Sequence, residues 1–445
     1  EDGGLKISEQ FSSVNPVRKI PTTMVLREDN PGNEVVTADF FGTDALEVFN
    51  QSSLPVVIRN NFKQPLYTAD PRDPRHEEGV RLTGLFFEYL RKVYVTEALN
   101  ALPQYVKAQL EVVLYLSLPV RKTPYHRSKM EAIAQAAGFT PENGVDRIST
   151  ELDEAECVVR YAMDQARPGM NQVLGKANKP DGALLLFIDV GGSTMDMTLK
   201  RMRICPDGSV QMDELSSWPD QDVEYPLGGY LVDEAIKDYL IRCGFAVPEL
   251  LEENWRSGKA KEAIRRLKEH YNQTLSTGGT IEKLGNQVLD MLYDINMGQM
   301  PPVLYAVSNK KINGKNYVDE ICKEYIDRMH RALAELFSEK FQKPLRDRPL
   351  TAPSDVDAVF LAGAGGRLFF IPLILRDPTV GFVKVREDPN LLFADWEDPS
   401  LCCVLGALAD REDIVSSKFA KCTYMLQYQV YTHSGLLTSR FKENP

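Results

Sequence analysis

"LLLFIDVGGSTMDMTLK", residues 184–200, starts as an apolar strand and stops on Asp189; two glycines, Ser193, Thr194 and a second acid, Asp196, follow before an apolar/polar alternation resumes. A phosphate chain needs backbone N–H groups pointing at it, and glycines let the backbone come close. It also needs a divalent cation, which carboxylates hold directly or through water. Gly191, Gly192, Ser193 and Thr194 suit the anion, and Asp189 and Asp196 suit the metal or an attacking water. A tight β-hairpin turn with solvated acids has the same local pattern, so the octapeptide alone leaves both readings open.

The rest of the chain narrows the choice. At 445 residues it is too long for one ordinary domain. It is 43% hydrophobic and 26% charged, as globular proteins are. A net charge of -11 argues against a general nucleic-acid or membrane-surface binder. No apolar run approaches the ~20 residues of a membrane helix, and no signal peptide is visible. Cys157, Cys205, Cys243, Cys322, Cys402, Cys403 and Cys422 are odd in number and lack metal-ligand spacing. Reduced thiols and a cytoplasmic location are the expectation.

Elements follow from periodicity. "TTMVL" and "PVVIR" predict strands, 82–99 a helix, and 112–120 a buried strand. A helix ending at Gly138 is expected next, then a short strand that passes into a helix over "RISTELDEAECVVRYAM". The pattern restarts at 184–200, with "SVQMDELSSWP" as a further strand of that meander. Helices are predicted over 231–244, with Val232, Ala235, Ile236, Tyr239 and Leu240 on one face, over 259–276 and over 318–337. "VDAVFLAGAGG" reads as a strand entering a glycine turn, and "LCCVLGALAD" as a final buried helix. The tail from 421 alternates like a hairpin. Two similar rounds of strands and helices argue for α/β architecture with a cleft between two lobes.

Two more glycine elements accompany the first. In "FLAGAGGR", Gly363 and Gly365 can pack against a flat adenosine ring, and Arg367 can stack on it or contact a phosphate. In "PLGGYLVDEAI", Gly228 and Gly229 open a helix whose N–H groups can meet a phosphate or ribose. An ordinary turn and an ordinary helix entry are the plain alternatives; order and spacing together are more specific than any one element.

From about Pro21 to Ala409 that order resembles the actin/sugar-kinase/heat-shock-seventy ATPase superfamily, and most closely its DnaK-type nucleotide-binding domain. The family's second phosphate motif, D-x-G-G-G-T-x-D, is matched at Asp189, Gly191, Gly192, Thr194 and Asp196, with Ser193 at the third glycine. "RISTELDEA" resembles the segment carrying the family's catalytic glutamate, a role that falls on Glu151, although Leu152 stands at the usual proline. "EHYNQTLS" offers Glu269 and Ser276 to the nucleoside, with Asn272 and Gln273 where the family has a basic pair. "AVFLAGAGGRLFFIP" matches the adenosine motif, and "DPSLCCVLGALA" the closing helix with Gly406 at its close-packed position.

The resemblance implies a two-lobed actin-like (ribonuclease-H-like) fold with a nucleotide cleft between lobes. Lobe I is expected over 1–182, lobe II over 183–396 with a helical subdomain at 231–312, and the closing helix and tail over 397–445. It implies ATP or ADP with Mg²⁺, catalytic roles for Glu151, Asp189 and Asp196, metal binding by Asp189 and Asp196, slow chaperone-like hydrolysis coupled to lobe closure, and an unidentified protein partner or client. The family's first phosphate hairpin, D-x-G-T-[TS], has no match in "EDGGLKISEQFSSVNPV", so turnover by these 445 residues is expected to be low. The chain begins at Glu1 rather than Met, and the sequence leaves open whether an upstream segment carrying that hairpin was removed. A non-catalytic interaction scaffold on the same fold is the competing reading, ahead of a small-molecule kinase or a filament-forming actin relative.

Overall fold

The computed structural model describes residues 23–30, 33–42, 45, 56–60, 62, 65–68, 74–101, 104–107, 111–116, 124–150, 154–165, 167–192, 194–219, 227–242, 259–279, 315, 317–342, 350–394, 396, 401–408 and 414–416. The predicted tail hairpin, Glu151 and Ser193 lie outside them.

The chain is α/β with mixed sheets. It opens with three strands, β1 (Thr23–Asn30), β2 (Asn33–Phe41) and β3 (Val56–Asn60), in the order β2-β1-β3 and antiparallel throughout. Helix α1 (Pro74–Leu90) passes through a π-turn (Arg91–Val95) into α2 (Thr96–Ala101). Strand β4 (Val113–Tyr115), helix α3 (Pro124–Ala136) and strand β5 (Arg147–Ser149) follow, with β4 and β5 parallel. Gly138, at φ +89°, ends the α3 segment as its sequence predicts. Helices α4 (Glu154–Asp164) and α5 (Met170–Ala177) then lead to the large sheet.

That sheet holds β6 (Ala183–Val190), β7 (Met195–Ile204) and β8 (Val210–Trp218) as an antiparallel meander. Helices α6 (Gly229–Arg242), α7 (Lys259–Ser276) and α8 (Lys323–Leu336) come next in sequence. Strand β9 (Ala358–Ala362) runs parallel to β6, and α9 (Phe370–Leu375), β10 (Leu392–Phe393), α10 (Cys402–Leu408) and β11 (Ile414–Ser416) complete the described chain. The order is β10-β9-β6-β7-β8-β11.

Burial explains the composition of β6 and β7. Residues 183–188 of β6 are all buried, as expected of a strand covered on both faces. In β7 the alternating polar residues Asp196, Thr198 and Lys200 are buried too. The alternation therefore does not mark a solvated face. Asp196 and Thr198 pair with Asp189 and Phe187, and this face is covered by α4 and α10. An aromatic ladder fills it: Phe187 stacks on Phe360 at 4.9 Å and Phe360 on Phe393 at 4.4 Å. Trp396 extends the ladder and donates Nε1–H to the Leu361 carbonyl at 2.6 Å.

Helices α4 and α10 touch backbone to backbone. A Cβ at Gly406 would overlap the Cys157 carbonyl, so only glycine fits. On the other face of the meander, α8 is tied to β8 by Trp218 Nε1–H donating to Glu335 at 2.8 Å and by Ser216 Oγ–H donating to the Leu336 carbonyl at 2.8 Å. Among the described residues no helix is long and apolar enough to cross a membrane.

Candidate functional site

The β6–β7 ladder ends at the pair Val190↔Met195, with Asp189 directly opposite Asp196 one step inside. Gly191 closes the turn by donating its N–H to the Thr194 carbonyl at 2.8 Å. That donor, assigned to a phosphate on sequence grounds, is spent on the hairpin. The Thr194 hydroxyl donates to Asp196 Oδ2 at 3.3 Å. Burial pushes the Asp189 carboxyl up to about 6 from its ordinary 3.8. Asp189, Asp196 and Thr198 line a small cavity with Glu154, Val158 and Cys403. It has room for about one water-sized group, far less than a nucleotide.

The second glycine turn meets the first directly. Ala362 pairs with Asp189, and the next residue, Gly363, takes φ +80°. A Cβ on Gly363 would strike the Asp189 carboxylate and the Val190 carbonyl. A Cβ on Gly365 would lie 2.5 Å from Val190 Cγ1 and 2.8 Å from Val190 O. These glycines let two strand ends touch each other. Arg367 lies exposed at the exit of the turn.

The helix start completes the group. Gly229 donates its N–H to Gly191 O at 2.9 Å and Tyr230 to Gly192 O at 2.7 Å. Leu231 N–H goes to Gly228 O at 3.1 Å. These N–H groups, expected to face a phosphate or ribose, dock α6 onto the first turn instead. The Tyr325 hydroxyl, on α8, fixes the approach by donating to Leu227 O at 2.7 Å.

Helix α7 reaches both turns. Lys268 donates to Gly229 O at 3.1 Å and pairs with Asp233 at 2.9 Å. Burial pushes the Asp233 carboxyl up to about 6, against the pull of the Lys268 ammonium. One turn later, Asn272 Nδ2 donates to Arg367 O at 2.7 Å, and Asn272 Oδ1 accepts from Phe369 N–H at 2.7 Å. Glu269 is exposed and paired with Arg265, which also grips Glu262 at 2.7 Å. Ser276, exposed near the end of α7, donates to the Gln273 carbonyl at 2.9 Å.

No protein-family model matches this sequence. No curated protein is significantly similar to it either. The functional reading therefore rests on the geometry. The structure brings Asp189, Asp196, Gly191, Gly192, Thr194, Gly228, Gly229, Gly363 and Gly365 together, and puts Glu269, Ser276 and Arg367 on exposed surface beside them. Sequence reasoning missed Lys268, Asp233 and Thr198, and gave Asn272 no role; its amide is used at both ends on backbone. The usable signal was the i, i+4 spacing of Lys268 and Asn272 on the helix that carries Glu269.

Proposed function

We propose that the chain is an ATP-binding module of the two-lobed, actin-like DnaK type, which holds nucleotide with Mg²⁺ and hydrolyses it slowly as its lobes close. The observation that carries this reading is the meeting of three separately spaced glycine elements around one pair of opposed carboxylates. The β9 turn adjoins the β6 turn because those strands pair, and the start of α6 docks on both glycines of the first turn besides.

A magnesium ion would here rest on two carboxylates alone, Asp189 and Asp196, because no cluster of three His, Cys, Asp or Glu side chains forms among the described residues. Asp189, Asp196 and Thr198 all line one cavity, and Thr198 Oγ1 is buried without a hydrogen-bond partner. The metal, when bound, supplies positive charge to the phosphates. Asp189 and Asp196 would hold it or its water. The Thr194 hydroxyl fixes the orientation of Asp196, and the touching turns keep bulk water from Asp189. Glu151, next to Thr150 at the end of the β5 segment, orients the attacking water on this reading. Thr150 itself is held by Arg127, which donates to its carbonyl, and by Glu131, which accepts from its hydroxyl at 2.6 Å. A client or partner protein and a cytoplasmic location belong to the same proposal.

Thermal unfolding tests it. Millimolar ADP with Mg²⁺ raises Tm by linkage, and chelation by EDTA removes most of the rise. An unchanged Tm with both ADP and ATP overturns the reading. One observation favours a non-catalytic scaffold instead: the Gly191, Gly229 and Tyr230 donors are already engaged within the protein. In that case a partner binds equally well with and without nucleotide.

A further inference from the structure

Lys268 and Asn272 sit four residues apart on α7, about 6 Å along its axis. Each contacts a different glycine element through backbone atoms. Lys268 reaches the Gly229 carbonyl at the start of α6, and α6 is itself bonded to Gly191 and Gly192. Asn272 spans the exit of the other turn, taking the Arg367 carbonyl and the Phe369 N–H at once. Gly363 and Gly365 then return the chain of contacts to Asp189 and Val190. The result is a closed ring of backbone contacts in which α7 is the strut.

Lys268 is suited to this place. It is 15% exposed and its ammonium is held by Asp233, so it is anchored rather than mobile. A Cβ on Gly229 would lie 3.3 Å from its Nζ, so Gly229 makes room for the lysine as well as for the turn. Asn272 has the two-ended chemistry required: a carboxylate could accept from Phe369 but not donate to Arg367, and an ammonium could do only the reverse.

We infer that Lys268 and Asn272 are positioning residues that set the separation between the phosphate turn and the nucleoside turn, so that a nucleotide engages both at once while its separate halves gain nothing from the strut. This role rests on the nucleotide reading above. It concerns neither metal binding nor the reacting atoms.

The full 445-residue chain, wild type and N272A, is titrated with Mg²⁺-ADP, Mg²⁺-pyrophosphate and adenosine by calorimetry. In the wild type, ADP binds more tightly than either half because the second contact is intramolecular. N272A weakens ADP about tenfold and pyrophosphate and adenosine no more than about twofold, the loss being confined to ligands that bridge. K268M behaves alike. N272D, which keeps the acceptor for Phe369, weakens ADP less and serves if N272A does not fold. Equal loss for all three ligands, or undiminished ADP affinity, overturns the inference.

Hydrogen exchange on ligand-free protein separates its failure from that of the nucleotide reading. N272A speeds exchange of the Phe369 amide, and K268M that of Gly229 and Tyr230, if the strut holds the turns. Unchanged exchange removes the strut. Faster exchange in a protein that binds none of the three ligands removes the nucleotide reading, and the proposed role with it.

Discussion

Asp189 and Asp196 face each other across the last pairs of the β6–β7 ladder, with the Gly363 backbone packed against the Asp189 carboxylate. Like-charged residues directly opposite on adjacent strands destabilise a sheet. A fold that holds such a pair, Asp196 buried and Asp189 half-buried, keeps a cost that a bound cation would relieve.

That cost is measurable. The Asp189 carboxyl, pushed by burial to about 6 from 3.8, contributes stability below its unfolded value that is lost as pH rises through about 6. Asp189→Asn is neutral at every pH. It should raise the stability of the ligand-free protein at pH 7.5 by about 1 kcal/mol, allowing for partial solvent screening, and by much less at pH 4.5. The same variant should lose the Mg²⁺-dependent thermal shift. Urea unfolding at the two pH values checks it, and destabilisation at pH 7.5 would contradict it.

Lys268→Met should show the opposite pH trend in its cost. It strands Asp233, which is buried and already pushed to about 6 with the lysine in place. At pH 8 the carboxylate is charged and unpaired, a loss of about 3 kcal/mol. Near pH 5 Asp233 is protonated, so the gap to wild type narrows. Paired melting curves at pH 5 and pH 8 decide this; an equal gap at both would mean that Lys268 does not face Asp233 in solution.

Two glycines should respond in opposite directions to alanine. Gly406→Ala drives a methyl into the Cys157 carbonyl where α4 crosses α10, and should destabilise by about 3 kcal/mol or prevent folding. At Gly175, in α5, a methyl would enter open space, with nothing within 4 Å of it. Gly175→Ala should stabilise by roughly 0.5–1 kcal/mol through helix propensity alone. Denaturant midpoints for both, in one buffer, make the comparison.

Glu151→Gln should leave Mg²⁺-ADP affinity within about twofold and lower single-turnover hydrolysis by ~10²-fold or more, since orienting a water matters only as it attacks. Parallel loss of binding and rate would show that Glu151 acts in holding the nucleotide.

Most elements were legible because their determinants are local. The β6–β7 hairpin, helix 259–276 and the buried strand before Gly363 all follow from short-range periodicity and turn residues. Two predicted helices were legible only in outline. The segments 82–99 and 318–337 each contain a π-turn, at Arg91–Val95 and Tyr317–Ile321, where an extra residue per turn shifts the side chains out of a 3.6 repeat. The alternation of Asp196, Thr198 and Lys200 was ambiguous for a different reason. Period-two patterning says which residues share a face, not whether water or a helix covers it.

What the sequence by itself determined is the set of parts: glycine turns at strand ends, acids beside one of them, and a glycine pair opening a helix. Backbone freedom and strand period depend on neighbouring residues, so they are readable along the chain. Only the tertiary structure decided how the parts are used. Gly191, Gly229 and Tyr230 spend their N–H groups on one another's turns, Asn272 serves backbone at both ends, and Lys268 joins the ring across thirty-nine residues to Gly229. Hydrogen-bond partners are assigned by proximity in space, and nothing in the local pattern of a donor records which acceptor the folded chain will bring to it.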